Sequence, residues 1–387
     1  MSVTRLDDSL LDDPAEMERL DAGQMLRAIA TAGAQVREAL LYIDASMLAP
    51  VVADGRPRAV IVTGMGGSGV VADVAAAVAG RTCQVPVLAH RGHRLPGWVG
   101  PMDLVVAVSC SGETEETLCA LDEAVRRGSR AVTVGAAGST IAGRAVDGRV
   151  VHLPVDARGR MPRANMWGLV VPVLLLLHEL GLVDAPRMLL QRLADDLDRT
   201  SERCGPRTDT FENPAKQVAL QLAGTLPYLW GSSDLAAVAA FRFASQLAEN
   251  AKYPAITGPL TEVHHNQVVV MAGRFGALGV DDKDIFRDRV DDSSDGPPRM
   301  RVLLLRDTDE VPQVARRREA TPAVGARYGV AVEEFAAEGD HPLDRLASLV
   351  APLDFASAYL ALLQGIDPSP IEPIVVLKSL PTEEAGT

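Results

Sequence analysis

Aromatic side chains are scarce in this sequence: three Trp, five Tyr and seven Phe make up 4% of 387 residues. Large rings therefore cannot fill the interior. Abundant Gly and Ala instead suit helices packed tightly on a sheet. Cysteine is also sparse, and Cys83, Cys110, Cys119 and Cys204 show no C-x-x-C spacing. They read as free thiols in a reducing cytoplasm. Positive charge is short, 38 Lys and Arg against 51 Asp and Glu. The net charge of −13 argues against nucleic acid and anionic membrane as partners. Long apolar runs are missing too. The stretch 169–177 contains Pro172 and runs into His178-Glu179, too short for a bilayer and suited to a buried helix. The N-terminus, MSVTRLDDSLLDDPAE, lacks the basic region and apolar core of a signal peptide.

What is present is length and apolar content, with 47% hydrophobic residues, enough for two domains with a sizeable core. The first 50 residues read as amphipathic helix. Strands are expected at 59–63, 85–89, 103–109, 130–135 and 149–153, with helices at 69–78, 114–127 and 165–182. Alternation of this kind predicts a parallel sheet covered on both faces. A polar stretch at 198–214, with Pro206 and Pro214, reads as the inter-domain connection. The pattern then restarts: strands at 226–230, 301–306 and 330–335, helices at 235–251, 313–328 and 342–365. A strand, a Gly/Ser turn and a helix open both halves, at Gly64 and at Gly231, as in two copies of one fold. The acidic stretch 281–298 reads as a surface loop. The expected division is 1–50 helical, 51–197 and 198–365 as the two α/β units, and 366–387 as a tail packed near the functional site by Ile374, Val375, Val376 and Leu377.

Gly64-Met65-Gly66-Gly67-Ser68-Gly69 follows the first strand and spells G-x-G-x-x-G. A dinucleotide site also needs an acid at the end of the second strand. That strand runs instead into Ala89-His90-Arg91-Gly92-His93-Arg94. Arg91 could serve a ribose phosphate, so an oxidoreductase reading rests on the glycine loop alone. The third strand ends Ser109-Cys110-Ser111-Gly112-Glu113-Thr114. Its hydroxyls, beside unpaired helix N–H groups, offer donors to an anion without a counter-charge. The plain alternative for Ser109, Ser111 and Thr114 is helix capping. Two such turns in neighbouring βα units, at the carboxyl edge of one sheet, describe a pocket for one small phosphate.

These two motifs resemble the phosphate motifs of SIS-domain sugar isomerases, and are most similar to the bifunctional phosphoglucose/phosphomannose isomerase family. The resemblance extends to the tail, DFASAYLALLQGIDPSPIEPIVVLKSLP. It implies two SIS-type doubly wound α/β domains with helices on both faces of parallel sheets. It implies a homodimer with the site at or near the subunit interface, a hexose 6-phosphate substrate and no cofactor. Gly66, Gly67, Ser68, Ser109, Ser111 and Thr114 would hold the phosphate. Arg163 would steady the reacting oxygens, Glu249 would transfer the proton, and His265 and Lys378 would serve ring opening. Two positions depart from that family's pattern, Glu113 where asparagine is common and Gln267 where glutamate is usual, and the stretch His90 to Arg94 is more basic than that family implies. A carboxylate beside a phosphate is unfavourable unless it turns away.

The implied chemistry is aldose–ketose isomerisation of glucose or mannose 6-phosphate to fructose 6-phosphate. It needs one base reaching two carbons and a cation at the developing enediolate. Without the resemblance, Arg242, Gln246 and Glu249 share one face of an amphipathic helix and read as a solvated stripe. His264-His265, read as extended, would point opposite ways and share no metal. The alternative from another class is a non-catalytic SIS-domain regulator that binds a sugar phosphate.

Overall fold

The computed structural model describes residues 8–279 and 298–379. Apart from Pro298, the acidic loop expected at 281–298 lies outside the described residues. Four short helices come first: α1 (Pro14–Leu20), α2 (Met25–Ile29), α3 (Ala32–Tyr42) and α4 (Ala45–Ala53). Their starts are written locally. The Asp13 carboxylate accepts from the N–H groups of Ala15 and Glu16 ahead of Pro14, and Asp44 does the same for Ser46 and Met47.

The first sheet follows, with β1 (Val60–Thr63), α5 (Gly66–Ala79), β2 (Val87–His90), β3 (Leu104–Ser109), α6 (Glu115–Arg126), β4 (Arg130–Ala136), α7 (Thr140–Asp147) and β5 (Val151–Val155). All pairs are parallel, in the order β2-β1-β3-β4-β5. β3 is buried at every position, as an apolar run inside a covered parallel sheet must be. Side chains alternate across it. Val60, Val62, Val106 and Val108 join the main core, while Ile61 and Val105 pack with Leu95, Ala120 and Ala124 on the opposite face.

Helix α8 (Met166–Glu179) carries the apolar run with Pro172 inside it and is almost wholly buried. The polar stretch read as a linker is mostly helix: α9 (Arg187–Arg203) buries Leu189, Leu190, Leu193 and Leu197, and its polar residues form the outer face. The connection proper is 204–213, where Lys216 Nζ donates to the carbonyls of Pro206 (3.0 Å) and Thr208 (2.7 Å). Helix α10 (Pro214–Leu222), unread in the sequence, starts on an Asn213 cap.

The second sheet comprises β6 (Thr225–Gly231), β7 (Ile256–Pro259), β8 (Arg299–Arg306) and β9 (Ala331–Ala336), all parallel, in the order β7-β6-β8-β9. The first strand again lies between the second and third, so both halves share one winding and one switch point at the carboxyl edge. Between strands lie α11 (Asp234–Gln246), α12 (Leu260–Val263) and α13 (Pro312–Arg327), and α14 (Pro342–Leu363) follows β9. Strand β7 escaped the sequence reading because it is a four-residue edge ending Gly258-Pro259, a composition that depletes strands. Helix α14 is apolar and long enough to cross a bilayer, yet 94% of that stretch is buried against the rest of the protein. A last helix, α15 (Glu372–Ser379), has no buried residue. The expectation that Ile374–Leu377 packs is therefore not met within one chain, and Val375, Val376 and Leu377 are 59%, 51% and 70% exposed.

Candidate active site

The two Ser/Gly turns meet at the carboxyl edge of the first sheet. Helix α5 begins at Gly66, three residues before the expected start, so the glycine loop is itself the first helical turn. Neither α5 nor α6 has a side-chain cap on its leading N–H groups, which stay available to an anion. Cys110 N–H donates to Ser68 Oγ at 3.1 Å and ties the turns together. Ser109 Oγ accepts from Gly112 N–H at 3.1 Å and lies 3.0 Å from Thr114 Oγ1, while Ser111 Oγ accepts from Glu113 N–H at 3.2 Å. Capping does not account for this set. Thr114 caps nothing, and the serines accept from loop rather than helix amides. The Ser68 and Ser111 hydroxyl hydrogens remain free to point at a ligand.

Glycine at 67 brings Arg163 to this edge. A Cβ there would fall 2.9 Å from the Pro162 carbonyl carbon and 3.0 Å from Arg163 N, so only glycine allows the approach. Arg163 is 2% exposed. Its Nε donates to Asn250 Oδ1 at 2.7 Å, its Nη2 to Pro368 O (3.1 Å) and Ser369 O (2.8 Å), and its Nη1 lies 3.5 Å from Glu249 Oε2. With Nε and Nη2 committed, the hydrogens of Nη1 are the ones left for a ligand, and they lie beside Glu249. Burial lowers the Arg163 pKa, but a guanidinium keeps its charge at any working pH.

Glu249 occupies a single π-helical turn, Leu247–Ala251, that ends α11 where a plain α-helix to 251 was expected. Such turns concentrate at functional sites because they redirect a side chain. Lys252 then adopts a left-handed conformation (φ 55°), and its Nζ donates to Glu249 O (2.8 Å) and Asn250 O (3.1 Å). Burial first, then the Arg163 charge, pushes the Lys252 amine down.

Of the stripe read as solvated, Arg242 and Gln246 are buried and Glu249 is half-buried. Arg242 pairs bidentately with Asp354 of α14 (3.0 and 2.6 Å) and donates to Arg163 O at 2.9 Å. Gln246 bridges Arg163 O and Asp354, and Asn250 Nδ2 donates to Ser357 Oγ at 2.8 Å. Sequence reasoning missed Asn250, Lys252, Asp354, Ser357 and the Pro368–Ser369 carbonyls. Asp354 left one signal: it is the lone carboxylate in the apolar run 346–363.

Thus Gly66, Gly67, Ser68, Ser109, Ser111, Thr114, Arg163 and Glu249 lie on two adjoining patches, but His265 and Lys378 do not join them within the chain. His264-His265 ends the short α12 rather than lying extended. His264 Nε2 meets Thr321 Oγ1 at 3.1 Å and its ring sits edge-on to Trp230, whereas His265 is exposed with Nε2 3.4 Å from Arg317. Lys378 stands on exposed α15.

Both departures have structural reasons. Glu113 accepts from Thr140 N–H at 2.9 Å and from the Thr140 hydroxyl, which hold its pKa low and turn its charge toward the start of α7. Gln267 accepts from Trp230 Nε1 (3.0 Å) and donates to Thr257 O (3.1 Å), a donation that an ionised glutamate could not make. Arg91 pairs with Asp73 and lies 5.3 Å from the Phe241 ring, so it is not free for a ribose phosphate.

The second Gly/Ser turn, Gly231-Ser232-Ser233-Asp234, lines a cavity of about 340 Å³ but already holds an anion. Asp307 after β8 takes the Ser233 hydroxyl (2.6 Å) and Arg345 Nε (2.7 Å), and its N–H donates to Ser232 Oγ (2.8 Å).

Comparison with known proteins bears on the family and the fold. Residues 211–380 match the family described as bacterial phospho-glucose isomerase C-terminal SIS domain. A bifunctional phosphoglucose/phosphomannose isomerase of Caldicellulosiruptor bescii is 29% identical over 83% of this chain and 88% of that protein. One from Aquifex aeolicus is 28% identical over 83% and 89%. Among solved structures, tagatose-6-phosphate ketose/aldose isomerase from Escherichia coli superposes with a TM-score of 0.65 at 13% identity, covering 93% of this chain and 97% of that one. A hypothetical protein from Thermus thermophilus gives 0.68 at 17% identity, covering 96% and 94%. At those identities the structures speak for the fold alone.

Proposed function

Because the chain belongs to the SIS-domain sugar isomerases that include the bifunctional phosphoglucose/phosphomannose isomerases, we propose that it interconverts glucose 6-phosphate, mannose 6-phosphate or both with fructose 6-phosphate. The observation that carries the reading is the junction at Arg163, which touches the Gly67 turn on one side and Glu249 on the other. In this reading 51–197 supplies phosphate recognition and 198–365 supplies proton transfer. The α5 and α6 amides, with Ser68, Ser109, Ser111 and Thr114, hold the phosphate. Glu249 removes the C2 proton of the open-chain aldose, and the C–H pair becomes the C1–C2 double bond. Charge then develops on O1, where Arg163 Nη1, 3.5 Å from Glu249 Oε2, stabilises it. Glu249 returns the proton to C1 while the O2 proton passes to O1, which leaves the ketose.

No metal enters this scheme. A guanidinium and a carboxylate supply the charge and the base. Ring opening is assigned to His265 and Lys378. Both stand away from Arg163 within one chain, and α15 exposes Val375, Val376 and Leu377, so a second copy of the chain is proposed to complete the site as a homodimer. The four free thiols support a reducing cytoplasm as its compartment.

A coupled assay with each hexose 6-phosphate, with and without chelator, tests the function. Turnover of at least one sugar, indifferent to chelation, supports it. Binding without turnover of either sugar would make the chain a sugar-phosphate-binding regulator. Turnover abolished by chelation and restored by zinc would remove the metal-independent scheme.

A further inference from the structure

Arg163 owes its geometry to a segment far away in sequence. Both hydrogens of Nη2 are taken by the carbonyls of Pro368 and Ser369, in the turn between α14 and α15. Besides Lys252 Nζ, which donates to Pro368 O at 3.4 Å, two contacts fix that turn. Asp367 Oδ1 accepts from Ser369 N–H at 2.9 Å. From the other side the turn is pressed against Gly23, between α1 and α2. A Cβ on Gly23 would fall 1.9 Å from Ser369 Oγ and 2.2 Å from Ser369 Cβ, and the next nearest atom is Asp367 Oδ1 at 3.7 Å. The backbone of Gly23 lies outside the left-handed region. Space, not conformation, therefore demands glycine there. The Ser369 hydroxyl is buried with no hydrogen-bond partner among the described residues, so what it contributes is contact.

We propose that Gly23 and Asp367 are positioning residues for the isomerisation: they lock the Pro368–Ser369 carbonyls onto Arg163, so that its Nη1 hydrogens alone face the substrate beside Glu249. The inference deepens the isomerase reading and rests on it for its kinetic consequence. Its geometric content stands separately. A carbonyl displaced by an added methyl group frees Nη2, and the guanidinium loses its fixed aim at the enediolate. A misplacement of this size costs about tenfold to a hundredfold in kcat and spares phosphate binding, which is made by other residues.

The test uses the full-length chain. Gly23→Ala is expected to lower kcat in that range with KM changed less than about threefold. An arginine-directed dicarbonyl reagent, read by mass spectrometry at Arg163, is expected to label it at least about tenfold faster than in the wild type, since labelling needs local opening. Gly23→Ala with Ser369→Gly removes the clash and is expected to restore both readings. Should Gly23→Ala not fold, the Asp367 pair makes the same decision: Asp367→Ala loosens the turn, and Asp367→Asn keeps the acceptor and behaves as the wild type. The proposal is overturned if Gly23→Ala keeps wild-type kcat with Arg163 protected. It is also overturned if the double variant stays impaired, or if Asp367→Asn behaves as Asp367→Ala, which would make charge rather than the turn the cause. A wild-type chain that turns over no sugar would leave the labelling pattern readable, so failure of the function and failure of the clamp are told apart.

Discussion

Single residues decide what the proposed phosphate pocket tolerates. Ser111 is exposed with its hydrogen free, so Ser111→Ala should remove one donor to a charged ligand. The expected loss is about 1.5–3 kcal/mol, roughly tenfold or more in the sugar-phosphate dissociation constant by calorimetry. An unchanged constant would take Ser111 out of the pocket. Glu113 makes the opposite prediction. Its carboxylate is spent on Thr140, so Glu113→Asn should change KM for the hexose phosphate by less than about threefold. A tenfold gain would show that the charge faces the phosphate after all. The hydroxyl and glycine positions were legible in the sequence because a helix start after a strand is a local event. The direction of Glu113 was not, because Thr140 opens α7, beyond the helix and strand that follow Glu113.

Elements carry the catalytic geometry through long-range pairs, and here sequence reading lost the thread. Periodicity placed Arg242 and Gln246 on one face of α11, whereas Glu249, read onto the same face, falls in the π-turn that follows. It could not tell that α14 covers the first two with a carboxylate more than a hundred residues away. The strand β3, a nearly continuous apolar run, was read to within one residue and β8, with its apolar centre Val302–Leu305, to within two, while β7 and α10 were missed for lack of pattern. The π-turn at Leu247–Ala251 has no sequence signature and only its hydrogen bonding reveals it. The buried pair yields a stability prediction. Asp354→Ala leaves the Arg242 guanidinium buried and unpaired, a change that typically costs about 3–5 kcal/mol. Urea unfolding should show that loss, and a change under about 1 kcal/mol would mean that water reaches Arg242.

At the scale of the molecule, the proposed mechanism divides the labour between two windings of one fold. The first keeps its turns open with hydroxyls and amides. The second fills its equivalent turn with Asp307, and contributes Glu249 instead. In the proposed scheme one chain leaves undone the delivery of His265 and Lys378, and the exposed apolar side chains of α15 point to a second copy of the chain. Light scattering should give twice the chain mass. Leu377→Asp should shift the protein toward monomer and remove most of the activity with it. A fully active monomer would return ring opening to residues within one chain.

The central claim is that Glu249 moves a proton between two carbons of a bound sugar phosphate. The direct measurement incubates hexose 6-phosphate in heavy water with the wild type and with Glu249→Gln, and follows isomer formation and C2 deuteration by NMR. The wild type should form fructose 6-phosphate with solvent deuterium entering at C2 of the aldose. Glu249→Gln, still binding the sugar, should slow both by at least about a hundredfold, the low end for loss of a positioned base. Isomer formed by Glu249→Gln at the wild-type rate would contradict the account.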